Sequence, residues 1–298
     1  MLIRTVLLVL LVALSIVFIA GWKRSAASRE ANRAAPIKGQ PSPVQLAIGF
    51  VTNFFDTLGI GSFATTTAAY KLLRLVSDER IVGTLLIGHS LPVVVQAFIF
   101  LVAVPVDPTV LVALIAVSVL GSWVGAGVAT HLPRRPIQIF MGTGLLAAAS
   151  FMFMSQVGVF PAGGLALTLT SWKLAFALAV NFLLGGLLTL GIGSYAPSLI
   201  LFSMLGMDPR AAFPIMMSSA AMMAMVAGLR FMKAGRFDTT AALGLTLGGI
   251  PAVLLAGLLV RSLPLGVLRW VVVVVVVYAA TTMLRSAFTE RRAANARG

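Results

Sequence analysis

From Thr5 onward the chain is written mostly in apolar residues, interrupted at intervals by short clusters of Gly, Pro and charge. A first apolar run covers Thr5 to Trp22. After a stretch rich in Ala, Ser, Pro and basic residues, Lys23 to Pro43, apolar segments follow at about 44–73, 82–104, 109–131, 137–155, 172–205, 211–230, 240–261 and 266–284. Stretches of roughly 18 or more apolar residues cross a bilayer as helices, because hydrocarbon offers the backbone no other hydrogen-bond partner. The pattern predicts an all-α polytopic membrane protein, with one N-terminal anchor helix ahead of eight apolar segments.

The eight segments fall into two sets of four. TLGIGSFA begins at Thr57 and TLGIGSYA at Thr189, each inside an apolar stretch. Aligning them pairs Leu46-Ala47 with Leu178-Ala179 and, with small gaps, SDER (77–80) with MDPR (207–210) and His131-Leu132-Pro133 with Ser262-Leu263-Pro264. An internal repeat of this kind divides the chain into an anchor and basic linker (1–43), a first repeat (44–160) and a second repeat with a basic tail (161–298). Basic residues mark the cytoplasmic side of a membrane protein. If each TLGIGS segment is a single span, 13 basic residues fall inside and 9 outside; if each is a re-entrant hairpin, the division is 17 and 5. The hairpin is therefore expected, with the linker and C-terminus cytoplasmic. One hairpin plus three spans is an odd number of crossings, so the second repeat is expected to be inverted. Paired broken helices in inverted repeats are the architecture of secondary transporters, with substrate held between them.

A chain that reverses at Gly59-Ile60-Gly61 and Gly191-Ile192-Gly193 starts new half-helices near Ser62 and Ser194. Serine is a good N-cap, and a half-helix N-terminus offers free N–H groups and partial positive charge. Two such ends meeting from opposite faces would form an anion-preferring nest, although glycines in membrane helices also serve close packing alone. Two ionisable residues remain inside the spans, Asp56 and His89. Asp56, with Leu188 at the matching place, is either a coupling group for a proton or ion, or a protonated packing residue. His89, near Ser90 and Gln96, corresponds to the Ser218-Ser219 region. These are candidate cavity donors, or in the case of His89 a satisfied packing residue. Asn53 and Asn181 are weaker pocket candidates.

Composition narrows the function. The chain of 298 residues is 59% hydrophobic and 10% charged, with a mean hydropathy of +1.04. Its net charge of +14 is read as topogenic, so nucleic acid is not expected as a partner. There is no cysteine, which excludes disulfides and thiolate metal sites. No HExxH, nucleotide-binding P-loop or catalytic carboxylate pair is present, so neither a cofactor, a metal nor an enzymatic activity is expected. Trp22, Trp172 and Trp270 lie near span ends, as interfacial anchors do.

LGIGSYAPSLILFSMLGMDPRAAFPIMMSSAAM (190–222) resembles the second-repeat signature of the TauE/SafE sulfite exporter family: a Gly-rich break, a following proline, an apolar stretch, a turn and a Ser-containing helix. Leu58 to Pro92 is a looser version, with Thr65 where Pro197 stands in the second copy. The resemblance implies a multi-pass bacterial inner-membrane protein that exports a small anion such as sulfite or an organosulfonate. The N-terminal anchor is an addition to the family's usual eight-segment pattern. The expected partners are that anion and the lipid bilayer; a homo-oligomer is left open. The alternative class is a non-transporting membrane scaffold or assembly protein.

Overall fold

Several interruptions of the apolar pattern become helix ends with identifiable chemistry. In the computed structural model, residues 2–31, 40–159 and 164–259 are described, together with 277, 281, 284 and 285. The eighth apolar segment (266–284) lies largely outside the described residues, and the basic tail and most of the linker do as well. The elements are α1 (Leu2–Ala31), α2 (Pro43–Thr57), α3 (Ser62–Leu72), α4 (Asp78–Ala103), α5 (Pro108–Ala129), α6 (Arg134–Gln156), α7 (Ser171–Leu188), α8 (Tyr195–Met204), α9 (Pro209–Lys233) and α10 (Thr239–Leu259). Among the described residues there is no strand, only an isolated bridge between Ala166 and Met207. Three helices start at a capping residue followed by proline, which lacks the N–H that a first turn would leave unpaired. Ser42 and Gln45 form a reciprocal capping box on α2, and Asp107 and Asp208 accept the first amides of α5 and α9. Among the described residues six helices, α1, α4, α5, α7, α9 and α10, are long and apolar enough to cross a membrane.

The core is the antiparallel pair α4 and α9. Phe100 stacks on Phe213 at 5.1 Å near one end, and Gly83 lies against Phe231 at the other. Around this pair the two halves of the chain interlock. From the first half, α2 runs along α10 of the second, with Gly49 on Gly244 and Leu245, Gly248 on Leu46 and Phe50, and Gly249 on Asn53. From the second half, α7 runs along α5 of the first, with Gly121 on Phe182, Gly185 on Ser118 and Gly125 on Gly186. Lipid supplies no hydrophobic force between helices, so such contacts depend on small residues that let backbones touch. The motifs GSWVGAG (121–127) and GLTLGG (244–249) perform the same task on opposite sides of the bundle.

Both broken segments double back. The start of α2 meets Gly244 through Gln45, and at the end of α3 the Tyr70 hydroxyl donates to the Ala241 carbonyl at 3.1 Å, so the hairpin begins and ends at one end of the bundle. Lys173, early in α7, donates to the carbonyl of Leu205 just beyond α8 at 2.9 Å, closing the second hairpin at the other end. The two tips accordingly point in opposite directions: Gly59 lies by Phe213 at the start of α9, and Gly191 by Val82 at the start of α4.

Charge segregates between these ends. The turns after α3, α5 and α9 gather at one end, where Arg236 donates to the Leu132 carbonyl, the Asp238 N–H donates to Thr84, and Lys71 pairs with the buried Asp78 at 2.7 Å. Arg74, Arg80, Arg230 and Lys233 belong to the same end. At the opposite end, the Asp107 and Asp208 amides donate to Leu167 and Ala166, and the described cations are Arg4, Lys173 and Arg210. α1 lies against α9, with Phe18 filling the space over Gly228 and Arg4 donating to the Val104 carbonyl.

Candidate functional site

The duplicated sequence builds the same backbone device twice. At the end of α2 the Gly59 N–H donates to Asp56 O at 2.9 Å and the Ile60 N–H to Phe55 O at 3.1 Å. At the end of α7 the Gly191 N–H donates to Leu188 O at 3.0 Å and the Ile192 N–H to Leu187 O at 3.2 Å. This double closure requires a left-handed residue, and Gly59 and Gly191 have φ of 87° and 86°. The first glycine of each GIGS thus terminates a helix. The second glycines differ: Gly61 has φ of 88°, whereas Gly193 is not among the positive-φ residues.

Beyond the turns, the two hairpins meet on a cavity of about 50 Å³. Asp56, Gly61, Ser62 and Phe63 line it from the first hairpin and Gly193, Ser194 and Tyr195 from the second; His89 of α4 and Ala220 and Ala224 of α9 complete the wall. Gly59 and Gly191 stay outside, the former against Phe213 and the latter against Met141 and Val82. Ser218 and Ser219 are buried on α9 beside Ala220 but are not part of the described lining, and their hydroxyls have no hydrogen-bond partner. Asn181 donates to the Ala177 carbonyl on its own helix and is not part of the lining either.

Asp56 is 1% exposed and is held from three elements. Gln96 of α4 donates from Nε2 to Asp56 Oδ2 at 2.9 Å and to Thr57 Oγ1 at 3.0 Å, while its Oε1 accepts from the Tyr195 hydroxyl at 3.2 Å. The hydroxyl and backbone N–H of Ser62 also reach the Asp56 carboxylate. One amide side chain therefore ties the first hairpin to the second. The expectation that the serines cap their half-helices is corrected here. Ser62 is already helical behind Gly61, and its hydroxyl serves Asp56; Ser194 is the N-cap of α8 but makes no side-chain cap hydrogen bond.

His89 is fully engaged. Asn53 donates through Nδ2 to the Gly49 carbonyl at 2.7 Å, which turns its Oδ1 toward His89 Nδ1 at 3.0 Å. That nitrogen therefore carries the hydrogen, and Nε2 accepts from Thr66 Oγ1 at 3.0 Å. His89 clasps both arms of the first hairpin to α4 and presents only its ring to the cavity. Tyr195 and Thr66 lie outside the residues the sequence marks as candidates, and Gln96 enters there only as a neighbour of His89. For Tyr195 a signal existed, since an aromatic follows each GIGS; Gln96 and Thr66 had none beyond being polar within apolar stretches.

A second cavity, of about 680 Å³, adjoins the first break through Thr57 and Leu58 and is lined also by Phe100, Phe213 and Arg210. Among the described residues no cluster of His, Cys, Asp or Glu could hold a metal ion.

Comparison with known proteins bears on this site. No curated protein and no solved structure matches the chain. The family model "Sulfite exporter TauE/SafE" matches residues 1–152 and 173–298, taking in the N-terminal helix as well as both broken segments. This is a family of membrane transporters of sulfite-type anions rather than of enzymes, and the chain, a multi-pass membrane protein with two broken helices around one cavity, belongs to it.

Proposed function

We propose that the protein is a secondary transporter that exports a small anion, sulfite or an organosulfonate, across the bacterial inner membrane by alternating access. In this reading the halves around the two hairpins are inverted repeats, the basic end and the C-terminus are cytoplasmic, and substrate sits at the two GIGS breaks. The observation that carries it is the convergence of both breaks on one buried cavity from hairpins that enter at opposite ends of the bundle. Transporters hold substrate at such paired discontinuities, where backbone N–H groups left free by the break face the ligand. The antiparallel course of α4 and α9, which hold matching places in the two repeats, supports the inversion.

Asp56 is the coupling group in this reading, since it is the one carboxylate of the lining and is linked through Gln96 to the opposite hairpin. Movement of the hairpins past one another would have to break that link, so the state of Asp56 can bias which end is open.

The test is flux of labelled sulfite, sulfoacetate, thiosulfate and sulfate into proteoliposomes. Saturable counterflow of at least one of these is expected, with pH-driven net flux lost and exchange retained in Asp56→Asn. Absence of flux for all four, in protein that inserts and stays monodisperse, would favour a scaffold instead.

A further inference from the structure

The duplication hides an asymmetry of charge. Asp56 stands just before the first break and Leu188 just before the second. The Asp56 carboxylate reaches across the turn to the Ser62 hydroxyl and N–H, so the N-terminus of α3 already carries an anion belonging to the chain. The backbone N–H groups at the N-terminus of α8 carry none, although the Tyr195 hydroxyl from its first turn also reaches Asp56. Ser194, only 5% exposed, lines the cavity there without a cap hydrogen bond, and Leu188 adds no charge. No lysine or arginine is among the described lining residues. The other titratable side chains of the lining are committed, His89 to Asn53 and Thr66, and Tyr195 to Gln96 and Asp56.

We propose that the cavity holds a single anion at the α8 N-terminus and that Asp56 makes it select singly charged ligands over doubly charged ones of the same shape. This rests on the anion-site reading above and deepens it. A helix N-terminus supplies about half a positive charge, which suits one negative charge and leaves a second uncompensated. Every further negative charge on the ligand also meets the Asp56 carboxylate, which is buried in the wall of the same cavity, where a charge pair is screened less than in bulk water. The duplicated GIGS motif therefore forms one seat with two unequal halves: one terminus binds ligand, and the other is filled by the protein.

Methanesulfonate and sulfate test this directly, because they are similar in size, both ionised near neutral pH, and differ by one unit of charge. Titrated into purified protein in nanodiscs, methanesulfonate should bind at least about 30-fold more tightly than sulfate, as expected for one uncompensated charge at low dielectric. Asp56→Asn should shrink that preference by about tenfold or more, mainly by strengthening sulfate. Affinities within threefold of each other in wild-type protein, which needs no variant to fold, would overturn the selectivity while leaving the anion site in place. An undiminished preference in folded Asp56→Asn would overturn the role given to Asp56. Binding of neither anion to wild-type protein would overturn the anion-site reading together with this one.

Discussion

Gly191→Ala and Gly193→Val should injure the protein in opposite ways, although the two positions lie only two residues apart. Gly191 has φ of 86°, and an L-residue held there costs about 1–2 kcal/mol. A β-carbon at Gly191 would also sit 3.0 Å from Met141 Cγ and 3.2 Å from Val82 Cγ2, so both neighbours must give way. A loss of about 2 kcal/mol in all corresponds to a fall in Tm of roughly 3–4 °C for a chain of this size. The cavity does not include Gly191, so the protein that remains folded should bind anion normally. Gly193 carries no left-handed backbone, and a β-carbon there meets Phe63 Cβ at an ordinary 3.6 Å. Its valine side chain would, however, set three carbons into the wall of the cavity, where the anion is proposed to sit. Gly193→Val should therefore keep its Tm within about 2 °C, a change below 1 kcal/mol, and lose anion binding more than tenfold. Scanning fluorimetry and calorimetric titration with methanesulfonate read the two effects on one preparation. Gly193→Val that binds with wild-type affinity, or Gly191→Ala that loses binding without losing stability, would refute the division between turn glycine and cavity glycine.

The interlock of the two halves makes a second test. A β-carbon on Gly121 would overlap the Phe182 carbonyl, and one on Gly248 the Leu46 carbonyl, whereas one on Gly186 meets the Gly121 carbonyl at 3.6 Å. Gly121→Ala and Gly248→Ala should each cost about 1–3 kcal/mol by overpacking, while Gly186→Ala should be neutral or gain up to ~1 kcal/mol of helix propensity; unfolding midpoints in one detergent compare them. For topology, the cysteine-free chain allows single cysteines at Ser77, at the basic end, and Thr109, at the other. In intact spheroplasts an impermeant thiol reagent should label Thr109→Cys and spare Ser77→Cys, and the reverse pattern would invert the assigned orientation.

The parts of this architecture that local chemistry decides were legible in the residues. The duplicated glycines announced two breaks, and the first apolar run and the seven following segments that are described correspond to α1 through α10. The turn register could have been read too, since the first glycine after an apolar helix is the natural left-handed terminator, and Gly59 and Gly191 hold that place. The contacts made across the bundle were not legible. That Ser62 would serve Asp56 instead of capping its own helix depends on how tightly the chain turns at Gly61. His89 read as either a cavity donor or a satisfied packing residue, and only the fold shows Asn53 and Thr66, from the two arms of the hairpin, taking both its nitrogens. Nor did anything local say that Gln96 would bridge Asp56 to Tyr195, 99 residues away along the chain. Equally, nothing local said which partner each small-residue helix would take: each packs on the hairpin of the other half, a choice that exists only in three dimensions.

The central claim is that an anion sits between the two breaks, and one cysteine tests it. Ser194 lines the cavity without a cap hydrogen bond, so Ser194→Cys removes little, and no other thiol exists in the chain. Its rate of modification by a small methanethiosulfonate reagent, measured in nanodiscs with and without saturating methanesulfonate, reports occupancy of the site itself. At least fivefold protection by methanesulfonate, with none from an equal concentration of a neutral sulfone and none at a Ser77→Cys control, is the predicted result. Modification at the same rate with and without the anion, in protein shown by titration to bind it, would place the anion elsewhere and contradict the account.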